Sequence, residues 1–212
     1  MENKMMDIEG RVKRYWYSDG IAELASGGLL LILGLYFGVQ GYVGSSSLVS
    51  AILQSSLVFI MIGGFFGVSW VINALKTRFT YPRTGYVEYR VDNQNANTRR
   101  YVVIAVAFSI AVASMVLIKY IQGLDSMVLV TSVWAGVIFV SLRGKSSGAT
   151  RFYALGVLSI LLGVGLSMSR LSEEYNLALF YGLVGLAVMI SGGLVLRRYL
   201  NENPLPVGED NE

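Results

Sequence analysis

Two sets of side chains in this 212-residue sequence are equipped to bind or react. The first lies in "KTRFTYPRTGYVEYR", residues 76 to 90, where Arg78, Arg83 and Arg90 are interleaved with Tyr81, Tyr86 and Tyr89 around Pro82 and Gly85. Arginine and tyrosine are enriched at protein-interface hot spots. Arginine also presents a planar fork of donors that matches phosphate. The second set is Thr131, Ser132 and Trp134, which sit inside an apolar run. Tryptophan prefers the membrane interface to its centre, so two hydroxyls and an indole N–H at that depth could seed a pocket for a small solute.

Carboxylates are scarce near the apolar runs. Asp19 and Glu23 open the first run. A carboxylate there either caps the helix and complements its dipole or serves an ion or proton. Glu173 and Glu174 are adjacent, and adjacent residues on a helix point in different directions, so they read as a solvated turn and not as a catalytic pair. The sequence contains no cysteine and no histidine. Thiol nucleophiles, disulfides, imidazole acid–base chemistry and the usual zinc, copper or haem ligands are all missing. No glycine-rich phosphate loop is present either. The expectation is a protein that is not an enzyme and carries no cofactor and no metal.

The elements that position these residues follow from hydropathy. Hydrophobic residues make up 54% and charged residues 15%, against about 25% charged in soluble domains, and the mean hydropathy is +0.55. Six apolar runs approach or exceed the roughly 20 residues that cross a bilayer. They are 21–43, 49–75, 101–121, 126–142, 152–168 and 176–196. The fourth and fifth are short, and as a re-entrant pair they would leave four full spans. The fold class predicted is an all-α integral membrane protein, a bundle of about six transmembrane helices. Residues 1–20 form an amphipathic lead-in and not a cleavable signal, with Met5, Ile8, Val12 and Trp16 on one stripe. Helices 1 and 2 occupy 21–75, a loop with a short β-hairpin 76–100, helices 3 and 4 101–142, a second loop 143–151, helices 5 and 6 152–198, and a disordered tail 199–212.

Charge orients the bundle. Lys4, Arg11, Lys13 and Arg14 precede the first run; Lys76, Arg78, Arg83, Arg90, Arg99 and Arg100 follow the second. Arg143, Lys145, Arg151, Arg197 and Arg198 fall on the same side if the runs alternate. Only Lys119 and Arg170 fall opposite. By the positive-inside rule both termini are cytoplasmic. The net charge of +3 is then a topology signal and gives no indication of nucleic-acid binding.

Glycines at four-residue spacing, Gly34–Gly38 in the first run and Gly63–Gly67 in the second, predict close helix packing. The fifth and sixth runs are also glycine-rich, so helices 1, 2, 5 and 6 form the expected close-packed part. "SGGLLLILGLYFG" and "ALGVLSILLGVG" echo one another, as do "ALKTRFTYP" and "VLRRYLNENP", which suggests a duplicated two-helix unit.

"RYWYSDGIAEL" before the first helix and "TYPRTGYVEYR" after the second resemble a family of small, uncharacterised bacterial and archaeal integral membrane proteins. The resemblance covers about the first 90 residues and implies a prokaryotic cytoplasmic-membrane location, with no activity attached. The expected function is that of a non-catalytic accessory or partner-docking subunit. It acts through Arg78, Tyr81, Arg83, Tyr86, Tyr89 and Arg90, which would also meet anionic lipid at the inner face. Homo-oligomerisation through the glycine faces is compatible with this. The alternative is a small-solute transporter or channel with its pocket near Thr131, Ser132 and Trp134.

Overall fold

A computed structural model describes residues 19–44, 48–84, 109, 112–116, 119, 126–145 and 150–204. Among these residues every regular element is helical and no strand occurs. Helix α1 spans Ile21–Val43 and α2 spans Leu48–Leu75. α2 continues without a break through a π turn, Lys76–Thr80, into a final turn, Tyr81–Thr84. Helix α3 is Ser126–Lys145, α4 is Arg151–Ser167 and α5 is Glu173–Glu202. Residues 112–116 are also helical.

The extension of α2 corrects the sequence reading, which ended this helix at residue 75 and began a β-hairpin there. Leu75 and Tyr81 both keep helical backbone angles. Proline at 82 has no N–H to return to the preceding turn. The chain accommodates it by widening one turn, in which the Tyr81 amide donates to the Lys76 carbonyl five residues back. The second half of the expected hairpin, from Gly85 onward, lies outside the described residues, as do the lead-in 1–18 and the tail from 205.

Among the described residues three helices are long and apolar enough to cross a membrane: Ile21–Val43, the continuous Leu48–Arg83, and Glu173–Glu202. Met127–Leu142 and Arg151–Ser167 are shorter apolar helices, at 1.5 Å per residue about 24–26 Å long against a hydrocarbon core of about 30 Å. They coincide with the two runs singled out as short. Most of the third expected span, 101–121, lies outside the described residues.

Two antiparallel pairs organise the bundle. In the first, α1 lies against α5 with glycine facing glycine. A Cβ added at Gly27 would come within 2.9 Å of the Gly185 carbonyl oxygen, and one at Gly34 within 2.8 Å of the Gly182 amide nitrogen. Gly20, Gly27, Gly34 and Gly41 recur every seven residues, and they meet Gly192, Gly185, Ala178 with Gly182, and Glu174 with Tyr175 in reverse order. A seven-residue repeat keeps one stripe facing its partner along a left-handed crossing. Phe37 stacks on Tyr181 beside this seam, with ring centroids 5.6 Å apart and planes 7° from parallel.

In the second pair, α3 and α4 form a hairpin. A Cβ at Gly156 would lie 3.3 Å from the Gly136 carbonyl oxygen, and Gly163 leaves room for the Ser132 side chain. The Ser159 hydroxyl donates to the Ser132 carbonyl at 3.2 Å. The hairpin and α5 enclose the core, in which Phe152, Leu155, Phe180, Val184 and Val188 are buried together.

The glycine motifs read from sequence are only half used. An added Cβ at Gly38 would just touch Ala178, at 3.8 Å, and Gly63 and Gly67 have nothing within 4 Å. α2 meets α1 instead through isolated contacts: the Tyr36 hydroxyl donates to the Leu53 carbonyl at 2.8 Å, and Leu29 presses on Gly64.

Candidate functional site

Charged side chains bind one another where four helices end together. Gly20 turns the chain into α1 with φ of +71°, a left-handed conformation that glycine adopts without the penalty a Cβ imposes. The turn folds Asp19 back over the start of the helix. Its Oδ1 accepts from the Ile21 amide at 3.2 Å. Its Oδ2 meets Lys76 Nζ at 3.2 Å and the Thr80 hydroxyl at 3.1 Å, both on the π turn of α2. Asp19 and Lys76 are 0% and 3% exposed, so the charges compensate each other in a site closed to water.

One turn further along α1, Glu23 is 4% exposed. Arg151, at the start of α4, donates to its Oε1 from Nη2 at 2.6 Å and from Nε at 3.0 Å. Ser191 of α5 donates to Oε2 at 3.0 Å. Both oxygens of a buried carboxylate are thus engaged, as a buried charge requires. Gly192 makes the approach feasible, since a Cβ there would lie 2.8 Å from the Glu23 Cβ. Arg151 also lies over the Phe152 ring, 5.2 Å from its centroid, and remains 29% exposed.

Neither sequence reading of Glu23 describes this arrangement. The carboxylate sits in the first turn, as cap-and-dipole logic requires, yet its partners are a cation on α4 and a hydroxyl on α5. Asp19 was expected as the N-cap, but the cap position is Gly20; Asp19, one residue before it, accepts from the Ile21 amide, while its second oxygen fastens α2. Lys76 and Arg151 entered the sequence reading only as topology signals, because pairing across 57 and 128 positions leaves no local pattern to read.

The arginine–tyrosine segment is divided by the structure. Arg83 is half-buried: its Nη1 donates to the Asn203 carbonyl at 2.6 Å and to the Leu200 carbonyl at 3.4 Å. It therefore satisfies carbonyls at the end of α5, which a helix terminus leaves unpaired. Arg78 is exposed, with its guanidinium 6.0 Å from the centroid of Phe79. Tyr81 is half-buried in the final turn. Tyr86, Tyr89 and Arg90 lie outside the described residues.

In the second predicted set Thr131 is half-buried on α3, and buried Ser132 donates to the Leu129 carbonyl at 2.8 Å. The Trp134 indole N–H reaches the Ser114 hydroxyl at 2.8 Å. A groove of about 390 Å3 lies elsewhere, on α2, lined by Leu48, Ala51, Ile52, Ser55, Ser56 and Phe59. Among the described residues no group of three or more acidic or imidazole side chains is placed to hold a metal ion.

The structure brings Asp19, Glu23, Lys76, Arg83 and Arg151 to one end of the bundle, together with the last turns of α5. Among the described residues its chemistry is ion pairing and hydrogen bonding, with the Thr80 and Ser191 hydroxyls each donating to one of the two paired carboxylates. Comparison of the chain with protein-family models, with curated proteins and with solved structures gives no match in any of the three.

Proposed function

We propose that the chain is a non-catalytic, multi-pass protein of a prokaryotic cytoplasmic membrane that docks a partner through the segment following α2. In this reading α1, α2, the 101–121 run, α3, α4 and α5 each cross the bilayer, and the end holding the ion pairs faces the cytoplasm. The observation that carries the reading is the exposure of Arg78 on a turn whose neighbours are fixed. Lys76 and Thr80 are both tied to Asp19, so the segment leaves the bundle from a rigid base. A preorganised base lowers the entropy cost of binding. Arg78 and Arg197 also offer positive charge at this end for anionic lipid headgroups, whereas Arg198 is paired with Glu202 at 2.7 Å.

The test is native mass spectrometry of protein extracted gently at native expression level, with the parent chain beside an Arg78→Ala/Tyr86→Ala variant. Arg83 is left intact because it holds the end of α5. The expected result is a stoichiometric second protein bound to the parent and lost from the variant, with insertion and helicity unchanged. Equal recovery of that protein from both chains would sink the docking role.

A second reading, small-solute transport, draws on the Trp134 indole N–H held at 2.8 Å by the Ser114 hydroxyl, beside Thr131. It predicts the reverse sensitivity: Trp134→Ala or Thr131→Val removes function and the loop substitutions do not. A small molecule carried by a lone monomer or homo-oligomer in the same mass spectrum would favour it.

A further inference from the structure

The bundle is not uniformly joined. Within each antiparallel pair, backbone meets backbone: Gly27 against Gly185 in α1–α5, Gly136 against Gly156 in α3–α4. Such contacts have no side chains to rearrange and hold one geometry. The seam between the pairs is of another kind. It consists of long side chains, with Phe152 and Leu155 of α4 set into Phe180, Val184 and Val188 of α5. Packed helices slide against each other across seams of this sort by small rotamer and shear adjustments.

One polar clasp crosses the same seam at the basic end, where Arg151 grips Glu23, which also holds Ser191.

The two ion pairs differ in a way that separates fastening from latching. Asp19 and Lys76 are both sealed, at 0% and 3% exposure, so parting them would strand two charges away from water. In the other pair Glu23 is 4% exposed and Arg151 29%. Arg151 already touches solvent and stands at the first position of its helix, where it can swing outward and be hydrated. Glu23 would keep the Ser191 hydroxyl when Arg151 leaves. The open state is thus partly satisfied, which is the condition for a two-state element.

We propose that the α3–α4 hairpin is a body that shifts against the α1–α5 pair, and that release of Glu23 by Arg151 is the latch that frees its basic end. The inference stands on packing and on this ion pair, and requires neither a docking partner nor a transported solute.

The chain contains no cysteine, so introduced cysteines can carry spin labels without background. The experiment uses the full chain in lipid nanodiscs and pulsed electron paramagnetic resonance. One label pair spans the seam, on exposed Val157 of α4 and Leu194 of α5; a control pair lies within α1–α5, on Leu35 and Leu186. The latch is opened from either side, by Glu23→Gln or by Arg151→Gln. The expected result is a narrow distance distribution for both pairs in the parent. Each latch variant should add a population longer by several ångströms at 157/194, with 35/186 unchanged. An unaltered 157/194 distribution in both variants would show that the hairpin is fixed by its apolar seam and overturn the latch. Broadening of both pairs together would show that the ion pair holds the whole fold, which overturns it equally.

Discussion

Helices α1 and α2 start from nearly the same sequence properties and end in different surroundings. Each is long and apolar enough to cross a membrane, and each carries a G-x-x-x-G motif. Yet 33% of the most apolar window of α1 is buried, against 6% for α2. The cause is the partner. The first three members of the seven-residue glycine series of α1 meet Gly192, Gly185, and Ala178 with Gly182 of α5 in matching register, so the two backbones close along most of their length. Gly63 and Gly67 of α2 face no atom within 4 Å. α2 is held at isolated points, Tyr36 to Leu53, Leu29 to Gly64, and above all Lys76 and Thr80 to Asp19. A small-residue motif marks a surface able to pack; a complementary stripe on another helix determines whether it does.

The sharpest way to break this contrast is to cut α2 loose. Asp19→Ala leaves Lys76 buried without its carboxylate, and removing one partner of a buried pair costs about 3–5 kcal/mol. The expected outcome is a large fall in the SDS fraction needed for unfolding in mixed micelles. A Lys76→Met/Asp19→Leu double variant should recover much of the loss, because a buried pair is replaced by apolar side chains of similar reach.

Next in size, the α1–α5 seam can be pried open by single methyl groups. Gly185→Ala places its Cβ 2.9 Å from the Leu31 amide nitrogen and 3.0 Å from the Gly27 carbonyl oxygen. Backbone cannot step aside as a side chain can, and the overpacking should cost about 1–3 kcal/mol in the same unfolding assay. A smaller, local effect is expected for Arg83→Ala. Loss of its hydrogen bonds to Asn203 and Leu200 should cost about 1 kcal/mol. It should appear as faster amide exchange in the last turn of α5, with little change in global unfolding. At the bottom of the scale, Gly63→Ala and Gly67→Ala should move stability by less than about 0.5 kcal/mol, as substitutions away from packed features do. A large effect at either position would mean that this face of α2 is covered by a neighbour.

The fit between sequence and structure depends on the range of the signal. Helical runs over 21–43, 126–142 and 152–168 were legible because each is a continuous apolar segment bounded by polar residues. The shortness of the last two was legible as well. The end of α2 was misplaced: Pro82 and the alternation around Phe79 imitate the start of a hairpin, whereas a proline can also be absorbed by a π turn within a helix. Arg83 was chosen as a docking residue for its type, and type does not reveal that the end of α5, 120 positions away, lies within its reach.

Chain composition, by itself, determined that this protein is strongly apolar and without the side chains of thiol or imidazole chemistry, since those are properties of residues counted one at a time, while the length of its apolar runs marked it as helical. The seven-residue recurrence of glycine in α1 was also present in the sequence, visible to anyone who searched at that spacing. Only the tertiary structure decided which glycines are used and that Asp19 holds α2 while Glu23 holds α4 and α5. It also divided the arginines of one segment between the end of α5 and the surface. These are relations between residues far apart in the chain, fixed when helices meet, and no single helix contains the information that sets them.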